Sequence, residues 1–212
     1  YTAFANLGEK VEPRPVLRVE DADGQVVWSQ EVERERVLDE KVAFIMVDML
    51  KDVVDAGSGR SIRDPFRGNV PDTLPAAGKT GTTNEGSDVW FAGFTPDLLA
   101  VVWMGFDMRT PILPNAAGGA YAAPVWADFM RPLYFGVSGY EDIETGELMQ
   151  GEEPVRPIPL DWIAPEGFTT RVIDAESGEL ATEWCPTENL REEIYLPGSE
   201  PTEACDLHAP GL

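Results

Sequence analysis

Val42, Ile45, Met46, Met49, Leu50 and Val53 recur at three- and four-residue steps, while Lys41, Asp48, Asp52 and Asp55 fall on the opposite side. That period predicts an amphipathic helix capped by Asp39 and ending near Asp55. Farther on the pattern changes: Val89-Trp90-Phe91-Ala92-Gly93-Phe94 and Leu98-Leu99-Ala100-Val101-Val102-Trp103-Met104-Gly105 are short apolar runs parted by Thr95-Pro96-Asp97. They predict buried strands joined by a turn, with the polar stretch from Ala77 to Asn84 as the first strand of an antiparallel meander. A second helix is predicted around Tyr121–Met130. Trp126, Phe129, Met130 and Leu133 share one side there, Pro124 suits a first turn, and Pro132 marks the end.

The flanking segments read differently. Tyr1 to Gly8 has the apolar spacing of the last turns of a helix closed by Gly8 in the left-handed conformation, so the chain is expected to continue a longer one. Pro15–Glu20 and Gln25–Trp28 flank Asp21-Ala22-Asp23-Gly24 and predict a structural hairpin. Ala56-Gly57-Ser58-Gly59-Arg60 opens a loop running through Pro65 and Pro71; Ser58 and Ser61 are expected to be exposed there, with no general base placed beside them. After Glu141, Pro154, Pro157, Pro159 and Pro165 exclude a continuous helix or central strand. The expected division is therefore a main unit over 1–140, an acidic linker over 141–168 and a small appendage over 169–212. In the appendage, Thr170–Asp174 and Glu179–Thr182 predict a hairpin around Glu176-Ser177-Gly178.

At 212 residues and 43% apolar content the chain can bury a sizeable core. No apolar run reaches membrane-spanning length, so no membrane segment is expected and the chain should be soluble. Acidic residues outnumber basic ones 38 to 16, and from residue 141 onward they do so 18 to three. Such a surface repels nucleic acid and anionic membranes. A solvated acidic tail or a salt-adapted source accounts for it more simply than a specific cation site. Cys185 and Cys205 would fit a disulfide in an oxidising compartment. With His208, the only histidine, they would supply three metal ligands; without Cys-x-x-Cys spacing no metal site is expected, and His208 reads as an exposed tail residue. No cofactor is expected.

The densest candidate chemistry is Ala77-Gly78-Lys79-Thr80-Gly81-Thr82-Thr83-Asn84. A phosphate-binding loop would require glycine five residues before Gly78, where Thr73 stands, and Gly81-Thr82-Thr83-Asn84-Glu85-Gly86 would not start the helix such a loop needs. The remaining reading is a strand lining an acyl-transfer site. Lys79 supplies a positive field, the hydroxyls hold a substrate carboxylate, and Gly81 admits the substrate to the backbone.

Gly78-Lys79-Thr80-Gly81-Thr82-Thr83-Asn84, followed by Asp88 to Asp97 and by Val102-Trp103-Met104-Gly105-Phe106-Asp107, resembles the C-terminal part of the transpeptidase domain of class A, bifunctional penicillin-binding proteins. Tyr1 to Asn6, Met49 to Val54 with Gly57-Ser58-Gly59, and Ala123 to Met130 resemble the same family in the same order. The likeness covers about residues 1–135, more loosely the cysteine-bracketed tail. It implies an α+β fold, an antiparallel sheet flanked by helices, and a serine acyl-enzyme mechanism on peptidoglycan stem peptides that β-lactams intercept. By resemblance Lys79 aids proton transfer and electrostatics, Thr80 and Thr82 bind the terminal carboxylate, the Thr82 N–H forms half of the oxyanion hole, and Gly81 keeps the strand open. The implied location is the outer face of the bacterial cytoplasmic membrane.

The family's Ser-x-x-Lys and Ser-x-Asn are absent from these residues: none of the serines at 29, 58, 61, 87, 138, 177 and 199 has Lys three or Asn two positions later. Both motifs, the glycosyltransferase domain and the membrane anchor are expected before Tyr1. The chain is then one wall of an active site, inactive alone, whose partner is the N-terminal portion of the domain. Two alternatives use the same strand: a non-catalytic module binding a peptide carboxylate, and part of a D-alanyl carboxypeptidase or β-lactamase.

Overall fold

The computed structural model describes residues 1–141, 145 and 147–208; residues 142–144 and 146 of the expected linker, and 209–212 of the expected tail, lie outside that description. The chain enters through one helical turn, α1 (Thr2–Ala5), and leaves it through Leu7 and Gly8 at φ +47° and +102°. A Cβ on residue 8 would lie 2.4 Å from the Leu38 carbonyl oxygen, so contact and dihedral both demand glycine. Four short strands follow: β1 (Glu9–Val11), β2 (Arg18–Glu20), β3 (Val26–Ser29) and β4 (Arg34–Arg36). β2 and β3 form the predicted hairpin, its turn held by Asp21, whose Oδ1 accepts from the N–H groups of Asp23 and Gln25. β1 pairs with β4 and brings the chain back beside Gly8.

The predicted long helix is α2 (Glu40–Asp55), and the Asp39 carboxylate accepts from the N–H groups of Lys41 and Val42 as a cap. Its buried face differs from the predicted stripe. Ala43, Val47, Leu50 and Val54 point inward, whereas Val42 and Met49 are 42% and 58% exposed. Counting only large apolar side chains misses Ala43, which is fully buried, and the buried stripe is turned by about one residue from the predicted one.

That sheet is the predicted meander: β5 (Ala77–Thr82), β6 (Asp88–Phe94) and β7 (Leu99–Gly105), antiparallel in this order, with Lys79 opposite Ala92 and Ala92 opposite Val101. Alternation divides its side chains between two cores. Ala77 and Phe94 pack with Val47 and Leu50 of α2, together with Phe4 and Trp162. Val89 and Phe91, on the opposite face, pack under a third helix, α3 (Gly118–Phe135), through Ala122, Ala123, Trp126 and Met130. Trp126 Nε1 donates to the Gly93 carbonyl at 3.0 Å, and its ring meets Phe91 edge-on with centroids 5.6 Å apart. A Cβ at Gly93 would come within 2.6 Å of that indole.

α3 extends beyond both predicted limits, with Pro124 in its seventh position and Pro132 in its last turn. Each internal proline costs roughly 3 kcal/mol through a lost backbone bond and a clash. Ala122, Ala123, Trp126, Ala127, Met130 and Tyr134 are buried along the same helix. At about 1.5–3 kcal/mol for each large apolar side chain, their packing outweighs the proline penalty.

β8 (Tyr140–Glu141) and β9 (Leu148–Met149) form a two-residue ladder, after which the chain is irregular to residue 168, in keeping with its prolines. It is fastened nonetheless. Val155 and Arg156 donate backbone N–H groups to Leu133, Asp161 pairs with Lys51 at 2.6 Å, and Trp162 donates Nε1–H to the Ala5 carbonyl while packing edge-on against Phe94. In the tail, β10 (Thr169–Asp174) pairs along its length with β11 (Leu190–Tyr195), a partner the sequence did not predict. The predicted hairpin to Glu179–Thr182 forms on the other edge of β10 as a short antiparallel bridge, Ile173 to Leu180, with the Asp174 N–H donating to the Glu179 carbonyl and the Ala181 N–H to that of Val172. It is cut short by a turn leading to Pro186, which cannot donate to a ladder, while the six residues from Leu190 offer every rung.

Asp97 is the polar hub of the turn between β6 and β7. It accepts from Thr95 Oγ1 (2.9 Å), Tyr134 Oη (2.5 Å) and Arg156 (2.8 Å). Burial works against its charge, but the hydrogen bonds from Tyr134, Thr95 and Arg156 together hold its carboxyl below the usual carboxylate range. Tyr134 is pushed up to about 12 by burial and by that same bond to Asp97. A carboxyl depressed on folding adds stability above its unfolded pKa of about 3.9 and loses it as the pH falls through the folded value. Asp97→Asn is therefore expected to lower the urea midpoint at pH 7, with the gap to wild type closing as the pH falls below about 4.

Candidate functional site

β5 is an edge strand, paired through β6 on one side only. Ala77, Lys79 and Gly81 face one way and Gly78, Thr80 and Thr82 the other. Gly78 is buried because a Cβ there would meet the Phe91 ring at 2.7 Å. The strand can thus lie close on the core and still present its next four residues.

On the first face Lys79 and Gly81, with Thr80 at the rim, join Tyr1, Trp90, Ala92 and Val101 around a groove of about 330 Å³. Lys79 is exposed, and its ammonium donates to the Thr80 carbonyl at 2.9 Å, bending back over the strand. Among the described residues no carboxylate lies within ion-pair distance of it. A cation left uncompensated beside an open strand edge is available to an anionic ligand.

On the second face Thr80 Oγ1 lies 2.7 Å from Ser58 Oγ, and Thr82 Oγ1 accepts the N–H of Gly118 at 3.1 Å. Ala117, at the N-cap of α3, has no capping side chain, so Thr82 performs that service from another element. Ser61 Oγ donates to the Gly119 carbonyl. The start of α3 can reach β5 because a Cβ on Gly118 would fall 2.3 Å from the Trp90 carbonyl oxygen, and one on Gly119 would fall 1.9 Å from that of Ser58. The positive end of the helix therefore closes on the strand that carries Lys79.

The structure brings Lys79, Thr80, Gly81 and Thr82 together on one edge but divides them: the ammonium and Gly81 line the groove, while both hydroxyls turn toward Ser58 and α3. Sequence reasoning missed Ser58, Gly118 and Gly119 as neighbours of this strand. Their signal was present as two glycine clusters, Gly57-Ser58-Gly59 and Gly118-Gly119, without any indication that they converge. Cys185 and Cys205 are both buried free thiols, with Sγ atoms within 4.8 Å of each other. His208 is not a solvated tail residue. Its side chain is 20% exposed, and Nε2 lies 3.2 Å from Asp174 Oδ2.

The family model of the penicillin binding protein transpeptidase domain matches residues 1–131, the part of the chain that carries this strand and most of α3. The chain belongs to this family. A second model, the C-terminal domain of penicillin-binding protein 1A, matches residues 164–210. Among known proteins the chain is similar to penicillin-binding protein 2D of Bacillus subtilis, at 32% identity over 97% of the chain and 26% of that protein. It is also similar to penicillin-binding protein 1A of Aquifex aeolicus, at 37% identity over 99% of the chain and 25% of that protein. The chain thus spans about a quarter of the length of these relatives. The crystal structure of penicillin-binding protein 1A from Haemophilus influenzae superimposes with a TM-score of 0.68 at 20% identity, covering 96% of the chain and 32% of that protein. The expected α+β transpeptidase fold is the one observed. Among the described residues no helix is long and apolar enough to cross a membrane.

The glycine contacts make the support of this strand testable. Gly119→Ala is expected to destabilise the chain by about 1–3 kcal/mol in urea unfolding, since backbone at 1.9 Å cannot yield as a side-chain tip would.

Proposed function

We propose that residues 1–140 form the substrate-recognition wall of a peptidoglycan D,D-transpeptidase, joined through 141–168 to the appendage 169–212. The observation that carries this reading is the uncompensated Lys79 on the open edge of β5, contiguous with Gly81 and two threonine hydroxyls. In acyl transfer a serine attacks the penultimate D-alanine carbonyl, the terminal D-alanine leaves, and an amine from a neighbouring stem peptide takes the acyl group. Lys79 holds the positive field in which the substrate carboxylate settles and the proton moves. Thr80 and Thr82 contribute hydroxyls to that carboxylate once it displaces their present partners, Ser58 and Gly118. The Thr82 N–H is half of the oxyanion hole, and Gly81 leaves the strand bare for the substrate backbone.

The nucleophile and its base are supplied by a segment carrying Ser-x-x-Lys and Ser-x-Asn, and that segment is the partner this surface requires. Trp90, Val101 and Trp103, each between 43% and 50% exposed on the Lys79 face, are the apolar surface on which it packs. β-Lactams enter as mimics of the same acyl donor, on the outer side of the cytoplasmic membrane.

A fluorescent penicillin is expected to leave the 212-residue chain unlabelled and to label a longer polypeptide that contains both the chain and the two serine motifs. In that polypeptide Lys79→Ala should slow acylation about 10²–10³-fold, the scale of losing an electrostatic group aimed at developing charge. Thr82→Val should slow it roughly 10–100-fold, the scale of one hydrogen bond to a charged group. Covalent labelling of the chain alone, or acylation of the Lys79→Ala protein at the wild-type rate, would overturn the proposal.

A further inference from the structure

We propose that the C-terminal appendage holds a structural zinc-class cation on Cys185, Cys205 and Asp174, with His208 as the fourth ligand. The ligand atoms of the first three lie within 4.8 Å of one another, and all three residues are buried. A tetrahedral zinc with bonds of about 2.0–2.3 Å holds its ligands roughly 3.3–3.8 Å apart, so closing these three requires only small side-chain movements, while His208 turns in from beside Asp174.

Asp174 points to the cation independently of the thiols. It is 0% exposed; its Oδ1 accepts from the N–H groups of Glu176 and Ser177 at 3.0 Å each, while its Oδ2 accepts no hydrogen bond. A buried carboxylate oxygen is costly unless a donor or a positive charge meets it, which here the His208 ring or a cation can do. His208 Nε2, 3.2 Å from Oδ2, approaches from the surface side and itself lies 3.4 Å from Asn189 Nδ2. The Cys185 sulfur already receives the Thr182 N–H at 3.3 Å, the kind of outer contact that stabilises a metal thiolate. Oxidation to a disulfide would instead remove both S–H groups beside Oδ2 and leave the His208 ring to meet it.

Two soft sulfurs with one carboxylate and one imidazole select zinc over calcium or magnesium. As each sulfur–metal bond forms, the thiol proton passes to solvent, and the divalent cation offsets two of the three negative charges on the two thiolates and the carboxylate. The ligands come from the end of β10, the loop after it and the last stretch of the chain, where Cys205 N–H also bonds to the Leu180 carbonyl. The metal clips the tail onto the β10–β11 ladder.

The test uses the whole 212-residue chain, purified without chelator. Elemental analysis is expected to find about one zinc per chain, with both thiols becoming reactive only in denaturant with chelator. Replacement by Co²⁺ should produce a near-ultraviolet thiolate-to-cobalt band and visible tetrahedral bands. Cys185→Ser and Cys205→Ser should each remove the thiolate band or halve it, and His208→Ala and Asp174→Asn should weaken Co²⁺ binding about tenfold or more. An intact mass lacking two hydrogens with less than about a tenth of an equivalent of zinc, or free thiols that give no cobalt band, would overturn the proposal. Both readings come from the wild-type chain and stand whether or not the variants fold.

Discussion

The indole of Trp126 seated against Gly93 is the contact on which the rest of the site depends. Gly93 lies in the middle strand of the meander, and only a residue without a side chain leaves room for the ring there. The Nε1–H bond to the Gly93 carbonyl then fixes α3 in rotation as well as in distance. With the helix held at its centre, its first turn has one place to go, against the Gly81 and Trp90 carbonyls, and that placement delivers the Gly118 N–H to Thr82. The Lys79 strand is thus shaped from behind by the helix that packs under it.

The two faces of the sheet carry different burdens. Under α3 the packing is continuous and nearly water-free, from Val89 and Phe91 to Met130 and Tyr134, and can absorb two prolines within a single helix. The Lys79 face is covered only toward the Phe94 end, by α1, α2 and Trp162, and opens at Trp90 and Trp103. An incompletely covered face beside an uncompensated ammonium is a poor arrangement for stability. It suits a surface meant to be completed by a second body and then by a substrate.

How far the fold was legible followed the range of the forces involved. The Asp39 cap, the Asp21 turn, the three-strand meander and the left-handed exit at Gly8 are set by neighbours within a few residues, and the sequence displays them. The buried face of α2 was displaced because Ala43 counts for little in a hydrophobic pattern but much in close packing. Pro124 and Pro132 read as boundaries, since the buried area that overrules them lies on another element. The hairpin from β10 to Glu179–Thr182 is present as a short bridge, whereas the longer ladder on the other edge of β10 was not legible because Leu190–Tyr195 lies farther along the chain. In the site, Lys79 to Thr82 could be found as a motif, whereas Ser58 and Gly118 reach it only through the tertiary fold. The same holds for His208, whose meeting with Asp174 no spacing rule foretells.

The Pro-spaced segment after residue 141 has a consequence best seen at Trp162. Its indole, held by the Ala5 carbonyl and by Phe94, behaves as a tethered ligand occupying a site on its own protein. A short, stiff tether raises the effective concentration of such a ligand to about the millimolar range, so a contact too weak to form between separate molecules is filled nearly all the time. Prolines that forbid secondary structure in this segment also limit the conformations lost when the ring docks. The segment behaves less as a spacer than as a latch, coupling the appendage mechanically to the end of the sheet from which the Lys79 strand begins.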